Sequence, residues 1–466
     1  MGSIVKLYER EGDTIAAIST AKGKAAIGVV RISGSDSDNI RDKLLLPLKG
    51  FSWPDRKAVL ADLIDPESGE FIDRVIGINF KAPGSYTGQD MLEIHGHGGE
   101  KNILRILDIV LSSGARLAEP GEFSLRAFLN NKLSLNEAEA VGDLIDAETE
   151  VAANLARRRL SGTMDRDYEK IREKLISILM EVEASLDFPQ DMEEAISPSY
   201  IDGWKKRTGD IIERTNQLIE SCDWYEKIIN GFEVVLVGPA NTGKSTLFNK
   251  LVGEERALVH DEPGTTRDMI REKLVVSGYP VLLVDGAGWN EAPTDLEEKG
   301  RSLLIREFGK AFLAIIVIDG SNERQQGLNE ILLNIKGLRK IVVVNKLDKG
   351  LVEQQEPAAT LCRESNKIEI SAIEGKGIDE LKRAIVEAIK KIEPMNHAIA
   401  LLRHRGALQE LKDFLNRALM RFRYEESTDM AAEDLRSGAK IMDELTGRSY
   451  TEAMLEKIFS RFCIGK

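Results

Sequence analysis

The chain has 466 residues, 42% of them apolar and 30% charged, so it is long enough for two to four ordinary domains with substantial cores. Its 64 Lys+Arg against 77 Asp+Glu leave a net charge of −13, which excludes a grip on nucleic acid by bulk positive charge and allows only a local basic patch. Cys222, Cys362 and Cys463 are too few and too far apart for a disulfide framework, which points to a reducing cytosol. The longest apolar runs, such as residues 312–318, fall well short of the ~20 residues a membrane span needs. The charged start MGSIVKLYEREGDT lacks the apolar core of a signal peptide, so a cytoplasmic, multidomain protein is expected.

Residues 1–130 mix strand-like runs (TIAAIST, AIGVVRISG, DRVIGINFKAPG, MLEIHGHGG) with Gly and Pro turns. One helical pattern, KNILRILDIVLSSG, stops at Gly114 as a helix C-cap does, and the whole predicts a small α/β domain. Residues 131–229 turn helical, with apolar residues three and four apart from Leu144 to Leu186 and Pro189 as the stop. From 230 to 392 the runs FEVVLVG, YPVLLVDGAG, AFLAIIVIDG, KIVVVNKLD and KIEIS alternate with helical segments, the pattern of a parallel sheet covered on both faces. Residues 393–466 return to helix: Leu401, Leu408, Leu415 and Phe422 recur every seventh position with Leu411 and Ala418 between them, a bundle seam in which His404 reads as a packed histidine. Two helical stretches flanking an α/β block suggest one discontinuous helical domain with the block inserted; two separate helical appendages are the alternative.

The chemistry is concentrated in the block. FEVVLVG runs into Gly238-Pro-Ala-Asn-Thr-Gly243-Lys244-Ser245 and then a helical TLFNKLV, the pattern G-x-x-x-x-G-K-[ST] in its required strand–loop–helix setting. Backbone groups from Asn241, Thr242 and Gly243 through Thr246 wrap phosphate oxygens in such a loop, Lys244 reaches the β- and γ-phosphates, and the Ser245 hydroxyl holds Mg2+. Downstream, Gly264, Thr265 and Thr266 follow Pro263, and Thr266 fits the second Mg2+ ligand and γ-phosphate sensor. Asp285 and Gly288 form a D-x-x-G at a strand end. Asn345, Lys346 and Asp348 form N-K-x-D, in which the carboxylate accepts the ring N–H and exocyclic amine of guanine; Ser371 and Ala372 follow the last strand. Four elements in one order, each at a carboxyl strand end, imply a Ras-like P-loop G domain that binds and hydrolyses GTP. Trp289 and Asn290 stand where many small GTPases carry a water-orienting glutamine, so that group comes from elsewhere or hydrolysis is slow without a partner.

Asn241 in the P-loop, GTTRD at 264–268, GVVRISG at 28–34, GSYTGQDMLEIHGHGG at 84–99, PGEFSLRAFLNNKLSLNEAEAVGDLIDA at 120–147 and the terminal FCIGK together resemble the MnmE (TrmE) family of tRNA-modifying GTPases over nearly the whole chain. The resemblance implies hydrolysis activated by K+ and by pairing of two G domains. Asn241 is then the side-chain K+ ligand, with carbonyls near His260 and Glu262, and Thr265, completing the site; His260 replaces the family's Thr or Ser. The family's water-orienting glutamate falls on Glu297, twelve residues beyond Asp285 and three before Gly300, with Glu298 beside it in the same acidic run. Gly286 and Trp289 depart from the family's pattern and leave Asp285 and Gly288 intact.

The same resemblance implies that the first domain binds a tetrahydrofolate derivative (5-formyl or methylene form) through Arg31, Glu93, Lys132 and Lys466, and that it forms the homodimer. It implies a flavin- and NADH-using partner, MnmG (GidA), in a heterotetramer or larger complex, and tRNA whose wobble uridine receives an aminomethyl or carboxymethylaminomethyl group at C5. Cys463 is either a nucleophile whose thiol is activated by Lys466 or Arg461, or a small buried residue in a docked tail. His95-Gly-His97 reads as a glycine-rich turn packed by its imidazoles in preference to a metal site. The competing function is an Era-like regulatory switch in ribosome assembly or signalling, its flanking domains acting as docking modules; folate binding separates the two.

Overall fold

The computed structural model describes residues 13–50, 52–187, 198–254, 270–285, 305, 308–365, 367–394, 401, 403–424 and 428–465. The chain forms two compact units, one from Met1–Asp143, Arg159–Arg207 and Arg417–Lys466, the other from Leu144–Arg158 and Thr208–Asn416.

In the first unit a seven-stranded sheet runs in the order β3-β4-β5-β6-β2-β1-β7. Its strands are β1 (Ile15–Ile18), β2 (Ile27–Ser33), β3 (Leu45–Pro47), β4 (Ala58–Ile64), β5 (Phe71–Phe80), β6 (Met91–His97) and β7 (Arg116–Leu117). All neighbours are antiparallel except β7, which runs parallel to β1. Alternate residues Val30, Ile32, Ala61, Leu63, Val75, Leu92 and Ile94 point into one core. Helix α1 (Ser37–Leu44) contributes Ile40 and Leu44 to it, and α2 (Glu100–Ser112) contributes Ile103, Ile106 and Val110. Gly114, at φ +123°, lies just past the end of α2 as the sequence pattern indicates. On the opposite face Leu60 and Ile76 are register partners and are exposed, as is Ile27. Helix α3 (Glu122–Leu129) follows the sheet.

The helical stretch that follows comprises α4 (Leu135–Ile145), α5 (Glu150–Leu160), α6 (Thr163–Asp187) and α7 (Pro198–Asn230); Pro189, its proposed stop, lies outside the described residues. In the second unit the strands are β8 (Phe232–Val237), β9 (Arg271–Val276), β10 (Tyr279–Asp285), β11 (Leu313–Asp319), β12 (Arg339–Asn345) and β13 (Lys367–Glu369). The helices here are α8 (Lys244–Glu254), α9 (Leu328–Asn334), α10 (Ala358–Glu364) and α11 (Ile378–Lys390). The sheet order is β13-β12-β11-β8-β10-β9. The central strands read as continuous apolar runs because each side of the sheet has its own core: Leu313, Ile315 and Val317 enter one, Ala314, Ile316 and Ile318 the other.

The five strands expected from the sequence run parallel, and a sixth that was not expected does not. β9 pairs antiparallel with β10 at the sheet edge, because Ser277 (φ +48°) and Gly278 (φ +89°) make a two-residue turn that can only fold the chain back on itself.

The chain closes with α12 (His404–Arg423), α13 (Thr428–Leu445) and α14 (Glu452–Phe459). Every position of the heptad seam, Leu401, Leu408, Leu411, Leu415, Ala418 and Phe422, is at most 6% exposed, and His404 is fully buried. In the first unit α6 and α13 pack side by side, with ion pairs Arg172–Asp443 (2.6 Å) and Arg436–Glu183 (2.9 Å) at their margins. No described helix is long and apolar enough to cross a membrane.

Candidate functional site

The carboxyl ends of β8, β10, β12 and β13 carry the motif residues of the second unit. Immediately after β8 the chain turns through Asn241 at φ +61° and Gly243 at φ +93° before α8 begins at Lys244. A side chain on Gly243 would collide with the Asn345 amide, so the glycine is required both by its backbone and by its neighbour. The loop therefore ends against a helix N-terminus whose first N–H groups are available to phosphate.

Lys244 is only 6% exposed, and its ammonium donates to the carbonyls of Gly238 (3.0 Å) and Pro239 (2.7 Å). Burial pushes it down to about 8, with Asp285 opposing. Ser245 Oγ donates to Asp285 Oδ2 at 3.0 Å. Burial likewise pushes the Asp285 carboxyl above its ordinary range, against the Ser245 hydroxyl and Lys244. Asp285 Oδ1 is a buried acceptor with no hydrogen-bond partner among the described residues. A hydroxyl and a half-used buried carboxylate side by side are an oxygen donor set that fits a hard cation such as Mg2+.

The base-reading elements are joined directly to the phosphate loop. Asn345, 3% exposed, donates from Nδ2 to Thr242 O (2.9 Å) and accepts at Oδ1 from Ala372 N (3.0 Å). Asp348 Oδ1 accepts from Ser371 Oγ at 2.6 Å, and that bond holds the carboxyl below its usual range. Lys346, at φ +70°, pairs with Asp319 at 2.6 Å. Thr246 lies exposed in the first turn of α8. The expected roles of His260, Glu262, Gly264, Thr265, Thr266, Gly288 and Glu297, with its neighbour Glu298, fall outside the described residues.

In the first unit Arg31 on β2 and Glu93 on β6 are register partners, bonded through Nε (3.1 Å) and Nη2 (3.0 Å). The guanidinium lies 5.4 Å from the Tyr86 ring centroid and 5.8 Å from that of Phe123. His95 Nε2 is 3.2 Å from Glu93 Oε2; this bond, then Arg31, holds the Glu93 carboxyl low in spite of burial. Lys132, just beyond α3, donates to Pro83 O at 2.8 Å and stays exposed. The tail returns to this unit: Gly465 is buried and its carbonyl accepts from Ser19 Oγ at 3.1 Å, beyond the end of the strand next to β2. Lys466 lies outside the described residues.

Two expectations are corrected. Cys463 is exposed, so the buried alternative for it fails: it is Phe462 and Gly465 that anchor the tail, leaving the thiol between them in solvent. His95 and His97 lie on strand β6 and not in a turn, because antiparallel pairing with β2 continues through His97 and that with β5 reaches His95. Each histidine faces a carboxylate, His97 pairing with Asp73 at 2.7 Å, and the described residues contain no cluster of three or more metal-ligating side chains.

The sequence matches the profile of the MnmE helical domain over residues 135–463 and that of the GTP-binding protein TrmE N-terminus over residues 14–132. It is 38% identical to the tRNA modification GTPase MnmE of Thermotoga petrophila, covering 97% of this chain and all of that protein. It is also 38% identical to the protein of the same name from Caldicellulosiruptor saccharolyticus, over 98% of this chain and all of the relative. The Thermotoga maritima protein of that name is 37% identical, with 97% and 100% covered. The chain belongs to the MnmE family. It is accordingly a GTP hydrolase, a multidomain protein of α/β and helical parts.

Within this MnmE-family chain, sequence reasoning missed Asp319, the partner of Lys346. The signal was present: like Asp285, it is an Asp at the carboxyl end of an apolar core strand. It also missed Tyr86 and Phe123, the rings against the Arg31–Glu93 pair, whose spacing carries no pattern.

Proposed function

We propose that this chain is a K+-activated GTPase which, with a flavin-dependent partner of the MnmG type, installs an aminomethyl or carboxymethylaminomethyl group at C5 of the tRNA wobble uridine, using a tetrahydrofolate one-carbon unit. The observation that supports the GTP half is Asn345, whose two buried bonds tie the loop wrapping the phosphates to the loop meeting the base. Lys244, already buried among loop carbonyls, binds the phosphates, and Asp348 reads the guanine edge. Ser245 and Thr266, with Asp285 through water, would hold Mg2+, which would offset phosphate charge. Asn241, with His260, Glu262 and Thr265, would hold K+, which would supply further positive charge for the developing phosphate charge. Glu297 orients the attacking water.

For the one-carbon half, support comes from Glu93. Its two oxygens share Arg31 and His95 and keep lone pairs for the amidine-like edge of a pterin, beside the rings of Tyr86 and Phe123. Lys132 and Lys466 meet the folate's glutamate carboxylates, and the exposed Cys463 thiol is the candidate nucleophile. The exposed apolar face bearing Leu60, Ile76 and Ile27 supports a homodimer through the first domain. We infer the four-stretch organisation 1–130, 131–229, 230–392 and 393–466, the G domain inserted in one helical domain, and a cytoplasmic site of action where tRNA resides.

Mass analysis of wobble nucleosides from cells lacking the protein tests the reading. Loss of the C5-substituted uridine is expected, and an unchanged nucleoside profile refutes it. Titration of the full chain with 5-formyltetrahydrofolate separates this reading from a purely regulatory GTPase: absence of binding heat favours the latter.

A further inference from the structure

Charge is unevenly spread around the returning tail of the first unit. Residues 19–27, which join β1 to β2, and residues 457–465, the end of α14 and the tail, carry Lys22, Lys24, Lys457 and Arg461 and not one acid. The chain as a whole has 77 acids against 64 bases. All four cations are exposed, and none has a carboxylate partner among the described residues. A solvated lysine by itself is ordinary. Here two segments more than 400 residues apart in sequence are joined so that their cations frame one exposed stretch of chain.

The junction is a backbone fit. Gly465, at φ +100°, is buried against the end of β1, where a Cβ would collide with the Ile18 carbonyl. Its own carbonyl accepts from Ser19 Oγ at 3.1 Å. Three residues earlier the Phe462 ring lies against Gly142 of α4 and 5.5 Å from the Phe459 ring. Between these anchors Cys463 and Ile464 are held outward, the isoleucine 51% exposed. At the Gly465 end runs the loop after Ser19, in which Lys22 and Lys24 flank Gly23 (φ +118°). At the Phe462 end Ser460 keeps helical dihedrals, φ −61° and ψ −16°, so Arg461 follows Lys457 by about one turn. Asp143, beside Gly142 in α4, is already paired with Arg159.

Two cations at each end of a short exposed segment, with an apolar side chain between them, complement a chain of anions that carries apolar faces between its charges. A strand of RNA has that form, one phosphate per nucleotide with ribose and base between. We propose that the substrate RNA strand lies on this surface. Lys22 and Lys24 take phosphates on one side of the target uridine, Lys457 and Arg461 those on the other, and Ile464 packs under the nucleotide between them, beside Cys463. The inference rests on the tRNA reading given above and adds where a chain of net charge −13 meets a polyanion. Phosphate contacts position a strand without reading its bases, so these cations set affinity and leave the choice of base to other groups.

The test uses the full chain and a fluorescent anticodon stem-loop RNA with a wobble uridine, its Kd read by anisotropy over a range of KCl. Lys22→Gln with Lys24→Gln, and separately Lys457→Gln with Arg461→Gln, are each expected to raise Kd about 10-fold at low salt. Each pair should also make the slope of log Kd against log salt shallower by about 1.4, for two single-strand phosphates at ~0.7 each. A Kd within twofold of the parent and an unchanged slope, for either pair, overturn the surface. So does a loss confined to 5-formyltetrahydrofolate carrying three γ-linked glutamates, which assigns the cations to the anionic tail of the one-carbon donor. Should one pair disturb folding, the other, on a different segment, decides alone. Failure of the tRNA reading shows separately, as absence of RNA binding by the unmodified chain.

Discussion

Replacing Asn345 by Ala cuts the strut between the two nucleotide loops. It removes the bonds to Thr242 O (2.9 Å) and from Ala372 N (3.0 Å), each worth ~1 kcal/mol net. Thr242 and Ala372 are 1% and 3% exposed, so water cannot readily replace the lost partner, and one stranded group adds a further ~1 kcal/mol at least. The expected total is about 3 kcal/mol, or on the order of 100-fold in an equilibrium constant. It is divided between nucleotide affinity and stability of the nucleotide-free unit, depending on how far the loops hold their arrangement unaided. Asn345→Asp should lose at least as much: it keeps an acceptor for Ala372 N but sets a carboxylate oxygen against the Thr242 carbonyl. GDP affinity by fluorescence competition and thermal unfolding of the full chain, measured together, give the sum. If Asn345→Asp binds GDP and melts like the parent, the strut carries no energy and the reasoning fails.

The buried ammonium of Lys244 links binding to pH. Because its folded value is about 8 against an ordinary 10.5, the unfolded chain holds more protons between those limits, so stability without nucleotide should rise with pH across that window. Phosphates favour the charged amine, so binding above pH 8 should take up a proton and weaken as pH rises; calorimetry at pH 8.5 in two buffers of unlike ionisation enthalpy reads this, and equal heats contradict it. Exchanging Na+ for K+ should raise GTP turnover at least ~10-fold, the scale of one added transition-state charge, and equal rates remove the potassium role. Glu297→Ala should abolish turnover with GTP affinity nearly unchanged; the same loss from Glu298→Ala alone assigns the water to the other carboxylate. Asp348→Asn should weaken GDP binding and admit xanthine nucleotides, and unaltered GDP affinity contradicts base reading by that carboxylate.

Much of the nucleotide site was legible because its information is local. Strand, glycine turn and helix start occur within the few residues around Gly238–Ser245, and the apolar runs of β8, β11 and β12 announce strands buried on both faces. The antiparallel edge was less legible: β9 alternates only weakly in burial, and its Ser277–Gly278 turn is only two residues between apolar runs. Exposure of Cys463 was undecidable from composition, since small thiols suit either a packed tail or a reactive one.

The amino-acid order alone determined which chemistry is available, because backbone curvature and side-chain type at a strand end depend on immediate neighbours. Only tertiary structure decided which groups meet. Asn345 reaches Thr242 across 103 residues, Arg31 spends itself on Glu93, and Lys346 is pinned by Asp319, since strand order and register are set by cores assembled from distant segments.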